Sequence, residues 1–448
     1  MPRRLRFCHI STFYPPYSFG GDAVYLYRLA NSLAGQGHEV DVIHCADSYN
    51  LLAGKHALEP LPHHPGVAVH NLHSRLGPVS PFLSQQTGWP LLKAGKIRRI
   101  LESKAFDVIH YHNTSLFGPK VLEIKPDYPG FIKLYTTHEH WLICPMHVLW
   151  KDNDRLCDRP QCFICTLRFC RPPQWWRYTN MLRKAAEHID VFISPSRFAV
   201  DMHFQRGFRK PFAQLPYFSP APDSETDTSS DSANTRPYFL FVGRLEKIKG
   251  LQNVIPVFRG YKQADLLVAG KGSYEPQLRR LALGLENVVF LGWVPPKRLA
   301  ALYRSAVALI VPSICYEVFP LVLLDAFPNG TAAIVNAVGV LPEIVQDCQC
   351  GITYRNEAEL LGAMEQLHRD RELRHQLGSN AYQKWEQQWT EAAHLQGYFN
   401  ILTKTAQRKY GFVPWAEAGD DIYFPSQGTQ TPLLPAGHDD SGSPDEAT

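Results

Sequence analysis

Short apolar runs recur along the chain, each stopped by glycine, proline or a polar turn, and most lead into a stretch with helical spacing. Arg4–Ile10, His38–His44, Asp107–Tyr111, Gly130–Thr136 and Asp190–Ser194 read as strands in the first half. Pro237–Gly243, Asp265–Gly272, Asn287–Gly292 and Ala306–Val311 repeat the pattern in the second. Between the first two strands, Ser11–Asp22 is a loop with paired Gly20 and Gly21, followed by a helix over residues 23–37. Val24, Tyr27, Leu29, Ala30 and Leu33 form its expected buried face. Further helices are read at Lys93–Lys104, from Ser196-Arg197, at Pro296–Ser305 and Phe319–Phe327, twice within Glu357–Trp389, and at Ala392–Thr405. Strands that alternate with helices make an α/β protein with parallel sheets.

A chain of 448 residues exceeds one core. The reading divides it into a first domain over 1–218, a linker over 219–236, a second domain over 237–391 and a closing helix over 392–412. The linker is rich in Ser, Asp, Thr and Pro and has no apolar period. An acidic tail over 413–448 reads as disordered.

Net charge is only +4, yet the tail holds seven acids with no Lys or Arg, and the linker carries −3. Setting both aside leaves +14 on the rest, which suits an anionic ligand such as a diphosphate or an anionic surface. No reader motif points to nucleic acid. No run approaches a membrane-spanning length, and the start, with arginines and a broken apolar run, is a poor signal peptide, so a cytoplasmic protein is expected.

The chemistry gathers where strands end. Glu317 stands just past the Ala306–Val311 strand, and Asp325 lies eight residues on, about two helical turns. Both would face the crevice where doubly wound sheets bind ligands. Arg244 and Lys249 follow the Pro237–Gly243 strand, where two cations can neutralise a diphosphate. A surface ion pair would explain either alone. Gly20-Gly21 fits a phosphate-approaching loop or a plain tight turn. His138 ends another strand, where an imidazole is either structural or a site group.

Cys144, Cys157, Cys162 and Cys165 supply four sulfurs with one C-x-x-C knuckle, and Cys170 or His147 stand by. They fit a structural zinc site or a set of buried thiols, and ten cysteines in a cytosolic reading argue against a disulfide framework. Arg168–Lys184 mixes five cations with Trp175 and Trp176, which suits an interfacial anchor, a carbohydrate platform or a core helix with a basic rim. The basic helix Lys93–Lys104 is a solvated face or a membrane-surface contact.

The string from Glu317 to Asp325, continued by Asn329-Gly330-Thr331, Gly339 and Leu341-Pro342-Glu343, resembles the acidic donor motif of retaining glycosyltransferases of family 4. Gly243-Arg244-Leu245 through Lys249-Gly250 resembles the same family, and the likeness covers nearly the whole folded chain. Asp325 replaces the usual Glu, Val340 the second glycine of a pair, and Val318 and Pro320 stand where many members carry glycine. Glu139 replaces the Asp that often follows the motif His. A Cys-rich insertion, here about 141–172, occurs in a subset of relatives.

The resemblance implies a GT-B fold, two Rossmann-like doubly wound domains facing a central cleft, and retaining hexosyl transfer from a nucleotide-sugar. By position, Arg244 and Lys249 would bind the diphosphate, Glu317 the donor sugar and Asp325 the ribose. His138 would orient the sugar, and amides around Phe319, Pro320 and Leu321 would add phosphate contacts. No catalytic metal is implied, because the cations take that part. The acceptor is left open as a glycan, a lipid-linked sugar or a small molecule, in cell-envelope polysaccharide or glycolipid synthesis, with peripheral contact on the inner membrane face. Two alternatives stay open: a non-catalytic sugar-nucleotide binding protein, or another GT-B enzyme such as a nucleotide-sugar epimerase.

Overall fold

The computed structural model describes residues 3–54, 61–222, 236–415 and 433–434. In chain order the strands are β1 (Arg6–Ile10), β2 (Glu39–Cys45), β3 (Val67–Leu72), β4 (Val108–Tyr111), β5 (Ile132–Thr136), β6 (Trp150–Lys151), β7 (Arg155–Leu156), β8 (Val191–Ser194) and β9 (Phe212–Gln214). The second half adds β10 (Tyr238–Val242), β11 (Asp265–Ala269), β12 (Val288–Gly292), β13 (Ala308–Val311), β14 (Ala333–Asn336), β15 (Gly351–Tyr354) and β16 (Leu433–Leu434).

Two sheets result, apart from the small β6–β7 hairpin. The first runs β3-β2-β1-β4-β5-β8-β9-β16 and the second β12-β11-β10-β13-β14-β15. All pairings within them are parallel except that of β16 with β9. Strand order reverses at β1/β4 in one sheet and at β10/β13 in the other, and ligands of such sheets bind beyond those carboxyl ends.

Alternation along the strands sorts side chains to two covered faces. Phe7, Val108 and Leu134 pack on one side of the first sheet, and Cys8, Ile109 and Tyr135 on the other. Leu240 and Leu309 join the first group, so one continuous core runs through both domains. Phe239 and Ile310 face a separate core behind the second sheet.

The last helix, Glu391–Tyr410, returns to the first domain. Tyr398 hydroxyl meets His110 Nδ1 at 2.9 Å, and Lys409 Nζ meets Asp190 Oδ2 at 2.8 Å.

Several sequence expectations need correction. The first helix, Gly21–Gly35, buries Tyr25, Leu26, Leu29, Ala30 and Leu33, whereas Val24 is exposed and Tyr27 only half-buried. The face is rotated because Tyr25 reaches across to hydrogen-bond His394 of the returning helix, at 3.0 Å. The linker reading began too early: Ser219 is buried, its hydroxyl donating to Leu324 carbonyl and accepting from Trp385 Nε1. Residues 223–235 lie outside the described residues. Within the tail, Leu433–Leu434 pair antiparallel with Phe212–Ala213, while 416–432 and 435–448 lie outside the described residues. Lys93, read as part of a solvated helix, is fully buried, with Nζ 2.6 Å from Ser80 Oγ. Of the other cations of that helix, Lys96, Arg98 and Arg99 are exposed, while Lys104 is half-buried with Nζ 2.6 Å from Asp41 Oδ2. A single disulfide links Cys348 and Cys350, and the other eight cysteines are free thiols.

Candidate functional site

The carboxyl ends of β1, β4, β5, β10 and β13 converge on a cleft of about 750 Å³ between the domains. Gly20, Gly21, His138, Arg244, Lys249, Glu317, Phe319, Pro320 and Leu321 line it. Asp325 is not among the lining residues.

Lys249 comes from a 3-10 turn, Lys247–Lys249, after β10. The turn ends at Gly250, whose φ of +76° and close approach to Pro312 both exclude a side chain: a Cβ there would sit 1.8 Å from Pro312 carbonyl oxygen. That approach brings the turn against the segment leaving β13, which carries Ser313 and Glu317. Lys249 Nζ lies 2.6 Å from Glu317 Oε1, and Ser313 Oγ donates to the same oxygen at 2.6 Å.

Burial alone would raise the Glu317 carboxyl, but the Lys249 ammonium and the two hydrogen bonds outweigh it and hold it below the usual range. Burial alone would lower Lys249, and Glu317 reverses that. The pair is therefore ionised. Arg244 is half exposed beside it, with Nη1 2.7 Å from Glu246 Oε1.

Across the cleft, Gly21 opposes the second domain so closely that a Cβ would lie 2.9 Å from Leu321 Cδ1. Asp22 follows in the first helical turn, its Oδ2 accepting from Asn113 Nδ2 at 3.2 Å, and burial raises its carboxyl. Glu139 Oε2 meets His147 Nδ1 at 2.8 Å.

His138 lines the cleft, but both its ring nitrogens are engaged. Nδ1 lies 2.6 Å from Tyr217 hydroxyl and Nε2 lies 2.9 Å from His112 Nδ1. His112 Nε2 in turn meets His9 Nδ1 at 3.0 Å. Burial holds His138 down at about 3, so the ring is neutral.

Asp325 departs from its expected place. It sits in the helix Leu321–Ala326 with Oδ1 3.0 Å from Arg28 Nη2, an ion pair between the domains. Glu343 also crosses: its carboxylate accepts the backbone N–H groups of Arg197 and Phe198 at 3.0 and 2.8 Å. These lie at the start of the helix Arg197–Gln205, where unpaired N–H groups favour an anion.

The four-sulfur set is not assembled. Among the described residues, the one group of three or more His, Cys, Asp or Glu ligand atoms within 4.8 Å of one another is His9, His110 and His112. Burial pushes Cys144 up to about 11 and raises Cys157 and Cys162, which keeps them as thiols. Cys157 Sγ instead meets Arg159 carbonyl, and Cys165 Sγ accepts from Asp152 N. The hydrogen-bonded ladder is His9–His112–His138. His110 packs on His112 with ring centroids 4.1 Å apart and is held by Tyr398 and Thr136, and of these four rings only His9 Nε2 lacks a partner.

Sequence reading missed Tyr217, His112, Arg28 and Ser313. Of these only His112 left a signal, since His110 and His112 alternate at the end of β4 and must share a face.

Two Rossmann-like sheets facing one cleft, with cations and acids at their switch points, define a GT-B glycosyltransferase fold. Two family models match: Glycosyltransferase Family 4 over residues 19–214 and Glycosyl transferases group 1 over residues 223–384. The chain belongs to glycosyltransferase family 4.

An uncharacterized glycosyltransferase of Methanocaldococcus jannaschii is 28% identical over 355 residues, covering 74% of this chain and 80% of that protein. D-inositol 3-phosphate glycosyltransferase of Pseudarthrobacter chlorophenolicus is 25% identical, covering 81% and 85%. Among solved structures, sucrose-phosphate synthase from Thermosynechococcus elongatus superposes with a TM-score of 0.67 at 20% identity, covering 89% of this chain and 98% of that one. Anabaena HepE in complex with UDP superposes with a TM-score of 0.62 at 17% identity, covering 90% and 100%.

Proposed function

We propose that this glycosyltransferase moves a hexosyl group from a nucleotide-sugar to an acceptor hydroxyl, with retention at the anomeric carbon. The observation that carries the reading is the ionised Lys249–Glu317 pair, with Arg244 beside it, at the mouth of the β10/β13 switch point. Negative charge grows on the leaving diphosphate as the glycosidic bond breaks, and fixed cations stabilise it there. The UDP bound to Anabaena HepE supports a nucleotide ligand for this fold.

In this reading Arg244 and Lys249 hold the diphosphate, joined by amides around Phe319–Leu321, and no catalytic metal is needed. Glu317, kept ionised and fixed by Ser313, accepts hydrogen bonds from donor-sugar hydroxyls. His138, its ring held in place by Tyr217 and His112, orients the sugar near its anomeric carbon. Asp325 takes the ribose hydroxyls once Arg28 releases it. Gly20 and Gly21 leave room for the diphosphate and acceptor. The acceptor oxygen attacks the face the diphosphate leaves, the bond from the anomeric carbon to phosphate oxygen breaks, and that oxygen takes the acceptor proton. Closure of the cleft excludes water and suppresses hydrolysis. The setting is the cytoplasm, and the product belongs to an envelope polysaccharide or glycolipid.

The test is turnover of UDP-, GDP- and ADP-sugars with mixed acceptors, with the anomeric configuration of the product read by NMR. Transfer from one donor class with retained configuration supports the reading. Inversion would overturn the mechanism, and tight donor binding without turnover on any acceptor would favour a binding protein.

A further inference from the structure

The insertion that follows β5 ends in a surface the transfer reading does not use. The helix Cys162–Arg168 exposes Phe163, Ile164 and Leu167, and the 3-10 turn Trp175–Tyr178 exposes Trp175 and Tyr178. They are contiguous: Phe163 and Trp175 rings lie 5.7 Å apart, and Trp175 and Tyr178 6.3 Å. Trp175 is 66% exposed, although its neighbour Trp176 is buried with Nε1 donating to Gln85 carbonyl. Large aromatics standing clear of a folded surface mark a contact site.

Charge says what covers it. Residues 155–184 hold seven cations and one acid. The acid, Asp158, is already paired with Lys151, and Arg155, Arg159, Arg168, Arg171, Arg183 and Lys184 are all exposed. Arg168 is paired with Asp152, which leaves the others in excess. Apolar side chains beside such an excess of exposed cations match the boundary of an anionic bilayer, where aromatics enter the headgroup layer and cations face lipid phosphates. No helix among the described residues is long and apolar enough to cross a membrane. Contact would therefore be with the surface.

The same segment reaches the cleft. Pro145, Met146, His147, Val148 and Arg171 line it, and Arg171 is tied to the patch by its N–H to Thr166 carbonyl, at 2.9 Å.

We propose that the face formed by Phe163, Ile164, Leu167, Trp175 and Tyr178 docks on an anionic lipid bilayer and turns the acceptor side of the cleft toward it, so that the acceptor is a lipid-linked hydroxyl. The docking rests on the exposed face alone. The acceptor class rests on the transfer reading.

The test is flotation of the full chain with phosphatidylcholine vesicles, with and without phosphatidylglycerol, across a salt series. Binding to the anionic vesicles is expected, falling about fivefold for each lipid-facing cation screened. Trp175→Ala is expected to weaken the partition about tenfold and Ile164→Asp more, while circular dichroism and binding of nucleoside diphosphate stay as in the wild type. Quenching of tryptophan emission by brominated acyl chains is expected in the wild type and reduced in Trp175→Phe.

Absence of vesicle binding, or binding that neither substitution changes, would overturn the docking surface. So would capture of soluble polysaccharide, lost in Trp175→Ala, in place of vesicles. Loss of nucleotide binding in the wild type would instead sink the transfer reading and leave the docking result standing.

Discussion

Arg28 of the first domain and Asp325 of the second meet at 3.0 Å across the interdomain boundary. The carboxylate that the family motif assigns to the donor is thus held by the opposite domain. Arg28 is braced further by its Nη1 bond to Phe218 carbonyl, at 3.2 Å. Donor binding through Asp325 must displace a partly exposed ion pair, which is worth about 0.5–1 kcal/mol. Arg28→Ala is expected to tighten nucleotide-sugar binding about two- to fivefold by calorimetry. Weaker binding would show that Arg28 itself touches the donor.

Lys249 and Glu317 form a pair that neither partner can leave cheaply. Lys249→Ala strands a buried carboxylate with the Ser313 hydrogen bond and the field of half-exposed Arg244 left to it. We expect a loss of about 2–3 kcal/mol in urea denaturation. Adding Glu317→Gln is expected to restore part of that stability without restoring turnover. A purely additive double variant would show that the two do not act together.

Tyr217 holds His138 Nδ1 at 2.6 Å and fixes the ring at the cleft wall. Tyr217→Phe is expected to lower kcat about tenfold with little change in donor affinity, since the ring loses its orientation and not the diphosphate its cations. An equal loss in donor affinity would place Tyr217 in direct contact with the nucleotide.

Buried histidines set the acid limit of stability. Burial depresses His9, His44, His138 and His140 to about 3, and His203 and His394 to about 4. It also takes His110 and His112 well below their ordinary value. The unfolded chain binds these protons near 6.5, so their contribution is full above that pH and is lost as pH falls toward 4 or 3. Each adds a slope of about 1.4 kcal/mol per pH unit. Glu317, held low, loses its contribution only at more acid pH. Urea midpoints are expected to fall steeply from about pH 6.5 downward, and a flat profile there would contradict the buried ladder.

Most of the central strands, and the position of most cleft-lining groups at their ends, were legible because continuous apolar runs and glycine-punctuated turns are local signals, whereas the order of strands in each sheet is not local. Pro296–Ser305 was read to the residue for the same reason: proline starts the helix, and an alanine in extended conformation stops it. What escaped was tertiary. Val24 and Tyr25 are neighbours whose spacing fits a helical face either way, and only His394, far along the chain, decides which one is buried. Asp325 and Arg28 lie 297 residues apart, so a motif that places one cannot announce the other. C-x-x-C spacing brings Cys162 and Cys165 onto one short helix, but it cannot bring Cys144 and Cys157 to them.

The most direct measurement is the rate of nucleoside diphosphate release from the preferred donor in the wild type, Lys249→Ala and Glu317→Ala, with acceptor present. Release in the wild type, lower by about a hundredfold or more in both variants, is the predicted result. Release that persists in Lys249→Ala would contradict the assignment of Lys249 and Arg244 as the cations that carry the leaving diphosphate.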